Sequence, residues 1–143
     1  MSTQSLNQGG VVQRLARARA VMSQNGIYAL LVPSADPHLS EYLPEYWQGR
    51  QWLSGFHGSV GTLIITPTFA GVWADSRYWE QATKELAGST IELVKLVPGQ
   101  PGPLEWLAEQ TPKGETVSVD GAVFALAFAR TLESRLKERG AFL

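Results

Sequence analysis

The sequence contains no cysteine. That removes disulfides, thiolate zinc sites and a cysteine nucleophile together, and it is compatible with a reducing cytoplasm. Histidine occurs only at His38 and His57, and aspartate only at Asp36, Asp75 and Asp120. Most glutamates fall on helix faces or loops, where solvation accounts for them. No dense acidic cluster is therefore available to neutralise a pair of metal ions. Runs of one charge are also missing. With a net charge of -1, the chain offers no electrostatic footing for nucleic acid or for a membrane surface. No apolar run approaches the roughly 18 residues of a membrane-spanning helix. The first ten residues, MSTQSLNQGG, lack the cationic start and apolar block of a secretory signal and read as a loose polar leader. A cytoplasmic location is expected.

What is present is enough for one domain. A chain of 143 residues can bury a core without metal or disulfide support. With 44% hydrophobic and 17% charged residues, it has the composition of a globular protein and not of a disordered one. Val11, Leu15, Ala18 and Met22 recur at helical spacing and predict an amphipathic helix over 11–24, closed by Asn25-Gly26. The continuously apolar run Ile27 to Val32 predicts a strand covered on both faces, stopped at Pro33. The stretch SADPHLSEYLPEYWQGRQW is a long, broken, aromatic-rich connection.

The segment Trp52 to Trp79 organises the rest. It predicts a strand over 62–66, a tight connection at Pro67-Thr68, a second strand over 70–75 and a helix over 76–86 that carries Tyr78, Trp79, Ala82 and Leu86 on one side. Further strands are expected over 91–97 and 116–120. A helix opens at Pro103 with Leu104, Leu107 and Ala108 as its stripe, and a last one carries Phe124, Phe128, Leu132 and Leu136 before Gly140. Alternating helices and short strands with one hairpin imply an α/β domain with a mixed sheet and helices on both faces. After Gly140 the ending Ala-Phe-Leu resembles the start of another strand or a linker, so a cut from a longer chain is expected.

Several constellations could carry chemistry. The glycines of GFHGSVGT, at 55, 58 and 61, precede a strand and lack both the dinucleotide spacing and the lysine of a phosphate loop. They read as a close-packed entry to a central strand. Ser59 with His57 and either Asp75 or Asp36 suggests a nucleophilic triad, but the elbow motif is incomplete, since position 57 holds no glycine. Asp36, His38, Glu41 and His57 suggest a metal site, set against which they lie in irregular loop and not on successive turns of a helix. Arg77 follows a strand end that turns into a helix, a common functional position in open α/β sheets. Its planar donors could bind a carboxylate or peptide carbonyl, or could pair structurally with Asp75 or Asp36. Of the five tryptophans, most are expected in the core and some at an interface.

The succession VPSADPHLSEYLPE, LSGFHGSVGTLIIT, AGVWADSRYWEQA and IELVKL closely resembles the N-terminal domain of Xaa-Pro aminopeptidases, in the creatinase and prolidase superfamily and most like the three-domain cytosolic type. The similarity runs from Val11 to Leu143, with His57 a departure, since relatives often carry Asp or Thr there. The resemblance implies a mixed sheet of about six strands flanked by helices, related to the ribonuclease H-like arrangement. It also implies a parent peptidase that removes the residue before a proline, with a C-terminal pita-bread domain holding two divalent metals, commonly manganese. No residue of this chain matches those metal ligands. On this view the chain carries no catalytic residue and no cofactor of its own. Its partners are its own C-terminal catalytic domain, a second copy as homodimer, and peptide substrates. By the same resemblance Asp36, His38 and Arg77, with His57 at the edge of its segment, face the active-site mouth and contact substrate or the neighbouring domain. Two other readings stay open: a stand-alone peptide- or amide-binding module of the same fold, and a small hydrolase using His57 and Ser59.

Overall fold

The computed structural model describes residues 3–33, 61–119 and 126–143. The apolar run after Gly26 forms β1 (Ala29–Pro33), which lies between β2 (Thr62–Ile65) and β5 (Val117–Val119). Next to β2 stands β3 (Ala70–Ala74), and β4 (Glu92–Lys95) closes that side, so the order is β4-β3-β2-β1-β5. Among these strands β2 runs antiparallel to both of its neighbours, while β3 pairs with β4 and β1 with β5 in parallel. The hairpin expected at Pro67-Thr68 joins β2 to β3. Across it the Thr66 N–H donates to Phe69 O at 2.7 Å, and the Phe69 N–H donates to Thr66 Oγ1 at 3.0 Å. Proline presets the backbone angle that such a turn needs.

Among the described residues four α-helices cover the sheet: α1 (Thr3–Gln24), α2 (Trp79–Leu86), α3 (Pro103–Gln110) and α4 (Leu126–Glu138). Side-chain alternation along each strand sorts the core into two halves. Leu63, Ile65, Val72 and Ala74 pack with Val11, Leu15 and Met22 of α1 and with Ala82 and Leu86 of α2. Ala29, Leu31, Ile64, Trp73 and Val117 face the other way, onto Leu107 of α3 and Leu132 and Leu136 of α4. Fully burying each of the larger aliphatic side chains stabilises the fold by about 1.5–3 kcal/mol. The central strands are thus covered on both faces, as a continuous apolar run requires.

Three departures from expectation have physical reasons. The stretch read as a loose leader is helical from Thr3 onward, as the first part of α1. Once Val11 and Leu15 anchor the helix, each further residue adds a hydrogen bond at little entropic cost, and Gln4, Leu6 and Gln8 are good helix formers. Ser76–Tyr78 form a single 3-10 turn before α2, because the Asp75 side chain caps the Arg77 N–H there. Finally, the described residues form five strands where the resemblance implies about six. The chain after Gly140 does approach β5: the Phe142 N–H donates to Glu115 O and the Val117 N–H to Phe142 O, both at 2.9 Å. That contact is an isolated bridge between Thr116 and Phe142, not a sixth strand.

Candidate functional site

The sheet brings the carboxyl ends of β1, β3, β4 and β5 to one side, and β2 begins there. Pro33 pairs with Thr62, Thr62 with Trp73, and Ala74 with Lys95. In open α/β sheets, ligands are met at this end, where the backbone leaves the strands and side chains are no longer committed to the core.

Asp75 and Arg77 stand directly beyond β3. Asp75 keeps extended backbone and caps the turn that follows, accepting the Arg77 N–H at 3.0 Å. Its carboxylate also accepts from Arg77 Nε at 3.1 Å and Nη2 at 2.9 Å, a forked pair. The side-chain hydrogen bond from Arg77 holds the Asp75 carboxyl below its ordinary value; partial burial opposes this, while the Arg77 backbone N–H and its charge add to it. The guanidinium carbon lies 5.2 Å from the centroid of the Tyr78 ring, within cation–π range. The Arg77 side chain nevertheless remains 62% exposed, so it is tethered to Asp75 while most of its surface faces solvent.

Two neighbours missed by sequence reasoning complete this corner. Trp79 donates its indole N–H to Ala74 O at 2.8 Å. Lys95 places its ammonium 4.9 Å from the Trp79 ring centroid. Lys95 gives no local signal of a site. Its position follows from the parallel register of β4 on β3, which sequence spacing does not reveal. Trp79 was legible only as part of an amphipathic helix face.

Of the four residues that the resemblance assigns to the mouth, Arg77 is the one that the structure describes. Asp36, His38 and His57 lie outside the described residues, as do Glu41, Ser59, Trp47 and Trp52. Both the metal cluster and the triad considered from the sequence need those positions. Among the described residues no group of three or more metal-ligating side chains could hold an ion, and Asp75 is already committed to Arg77, so these residues do not fit a metal centre. Trp73 is 1% exposed and packs with Trp106 at a centroid distance of 5.0 Å, whereas Trp79 and Trp106 are only partly buried, so among the described tryptophans one is wholly in the core. No helix among the described residues is long and apolar enough to cross a membrane.

A family model described as the Creatinase/Prolidase N-terminal domain matches residues 14–142. The chain belongs to that family. Its relatives include proteins named "Probable Xaa-Pro aminopeptidase P" from Talaromyces marneffei, 39% identical, and from Aspergillus fumigatus, 40% identical. Each alignment covers 92% of this chain but 20% of the relative, so the chain spans about a fifth of the length of those proteins. The X-prolyl aminopeptidase of Caenorhabditis elegans, a cytosolic enzyme with a di-nuclear active site, superposes with a TM-score of 0.85 at 29% identity, over 92% of this chain and 23% of that one. The creatinase/prolidase-like N-terminal domain of a Corynebacterium diphtheriae protein, at 20% identity, shows the same fold with a TM-score of 0.65 over 93% of both chains. The mixed sheet with helices on both faces is therefore the creatinase/prolidase N-terminal fold.

Proposed function

We propose that this chain is the non-catalytic N-terminal domain of a metal-dependent Xaa-Pro aminopeptidase, an enzyme that removes the residue preceding a proline. The observation that carries this reading is the pattern of coverage: relatives named for that activity match almost all of this chain, and it matches about a fifth of them. The corner beyond β3 gives the chain a part to play. A tethered, exposed guanidinium can donate to the carbonyl or carboxylate oxygen of a peptide, but supplies neither nucleophile nor metal. In this reading, Asp36, His38 and His57 join Arg77 at the mouth of a catalytic domain in which two divalent metals, manganese among the candidates, would supply the activated water. The domain narrows access to that mouth and contributes to a homodimer, in the cytoplasm. Kinship with ribonuclease H-like folds belongs to the same reading, and β2 as the single reversed strand among the described residues supports it.

The test compares two proteins on a peptide with proline second, in the presence of manganese. The 143-residue chain alone is expected to give no turnover, while the full-length product of the gene cleaves before proline. Hydrolysis by the isolated chain that disappears with Ser59→Ala would replace this reading with the small-hydrolase one. A gene product with no acidic, histidine-bearing domain after Leu143 would favour the stand-alone binding module.

A further inference from the structure

Asp75 directs three contacts at one residue. Its Oδ1 accepts from the Arg77 backbone N–H at 3.0 Å and from Nε at 3.1 Å, and its Oδ2 accepts from Nη2 at 2.9 Å. The paired side-chain contacts match the parallel fork of a carboxylate on a guanidinium, which fixes the plane of the group as well as its place. The Tyr78 ring, 5.2 Å away, limits the same group from another direction. An exposed arginine without such constraints samples many rotamers and must be ordered when it binds, a loss that preorganisation avoids. The pair is also too exposed, at 62% for Arg77 and 34% for Asp75, for its attraction to matter much to folding.

We propose that Asp75 is a positioning residue, which holds the Arg77 guanidinium in the orientation that meets an acceptor oxygen of the peptide substrate. This rests on the reading of Arg77 given above and goes one step past it. A plain counter-ion at Asp75 would have the opposite sign, because it would compete with the substrate oxygen, and removing it would strengthen binding. Acting through Arg77 makes a second demand: once the Arg77 side chain is gone, losing Asp75 has no guanidinium left to misorient, and only the cap on the backbone N–H of residue 77 remains, which the fold check reads.

The experiment is steady-state kinetics of the full-length protein on an Xaa-Pro tripeptide, with circular dichroism of each variant as the fold check. Arg77→Ala is expected to raise KM about tenfold, the loss of one charge-assisted hydrogen bond. Asp75→Asn is expected to raise KM about threefold, the scale of ordering one long side chain, with kcat little changed. The double variant should be no worse than Arg77→Ala. Arg77→Lys keeps the charge and the backbone cap but loses the fork, so it should resemble Asp75→Asn and serves if that variant folds poorly. An unchanged or lowered KM for Asp75→Asn, or a double variant that multiplies the two single effects, overturns the positioning role while Arg77 keeps its own. An unchanged KM for Arg77→Ala overturns both.

Discussion

Replacing Gly71 with alanine tests the packing of the second core directly. Gly71 sits in β3 opposite Ile64 and faces α3. A Cβ built there would meet Phe69 Cζ at 2.7 Å, Phe69 Cε1 at 2.8 Å and Trp73 Cζ3 at 3.2 Å, against an optimum of about 3.5–4.0 Å for carbon pairs. Both rings are held by aromatic neighbours. Phe69 stacks on Trp106 at a centroid distance of 4.9 Å and meets Trp73 edge-on at 6.1 Å, and Trp73 is 1% exposed. The strand is held between β2 and β4 and cannot shift without breaking two ladders. Overpacking of this kind costs about 1–3 kcal/mol, offset by about 0.5–1 kcal/mol from the stiffer unfolded chain. The expected net loss is about 1–2 kcal/mol, which for a chain of this length lowers the melting temperature by roughly 3–7 °C. Urea unfolding of Gly71→Ala with and without Phe69→Ala is the assay. With the Phe69 ring removed, the same substitution should be near neutral. An equal loss in both backgrounds, or no loss in either, would refute the argument that the Phe69 ring dictates glycine here.

Two further outcomes concern the corner beyond β3. Trp79→Phe removes the indole N–H bonded to Ala74 O and weakens the face under Lys95. Because the Leu96 N–H also donates to Ala74 O, at 2.9 Å, that carbonyl is not orphaned, and the loss in denaturant stability should stay near 1 kcal/mol; an unchanged urea midpoint would remove Trp79 from the account. The second is a pH dependence. The Asp75 carboxyl is lowered from 3.8 in the folded chain, first by the Arg77 side-chain hydrogen bond, so its stabilisation is present above that value and fades as pH falls below it. The stability gap between wild type and Asp75→Asn should therefore close in acid. A gap that stays constant down to pH 2 would contradict the assignment.

Much of the fold was legible because one-dimensional patterns map onto faces. Leu63, Ile64 and Ile65 in succession announce a strand with two buried sides, and they divide between the two cores in alternation. Val11, Leu15 and Met22 at helical steps announce the face of α1 that is buried. The Thr66-Pro67-Thr68-Phe69 turn was legible from the chemistry of proline between two β-branched runs. Strand order was not. Nothing local places β5 beside β1, where the Tyr28 N–H donates to Thr116 O at 2.8 Å; that pairing depends on α3 carrying the chain past β1 to the far edge. The cluster of Phe69, Trp73 and Trp106 escaped for the same reason, since its members come from a turn, a strand and a helix that only the folded sheet brings together.

The site divides along the same line. Asp75 and Arg77 are two residues apart at a strand end, so their pairing was foreseeable as one of two equal readings, a structural pair or a functional donor. The geometry removes the opposition between them, because the forked pair leaves most of the Arg77 side chain exposed. Pairing and presentation are then the same arrangement seen from two sides. The energetics separate this corner from the rest of the molecule. Stability resides in the apolar halves on either side of the sheet, where one added methyl at Gly71 is expected to be felt throughout the aromatic cluster. An exposed ion pair contributes about 0–1 kcal/mol, so substitutions at Asp75 and Arg77 should leave folding nearly intact. That asymmetry makes the corner experimentally clean: a change in peptide binding caused there cannot be passed off as a damaged core.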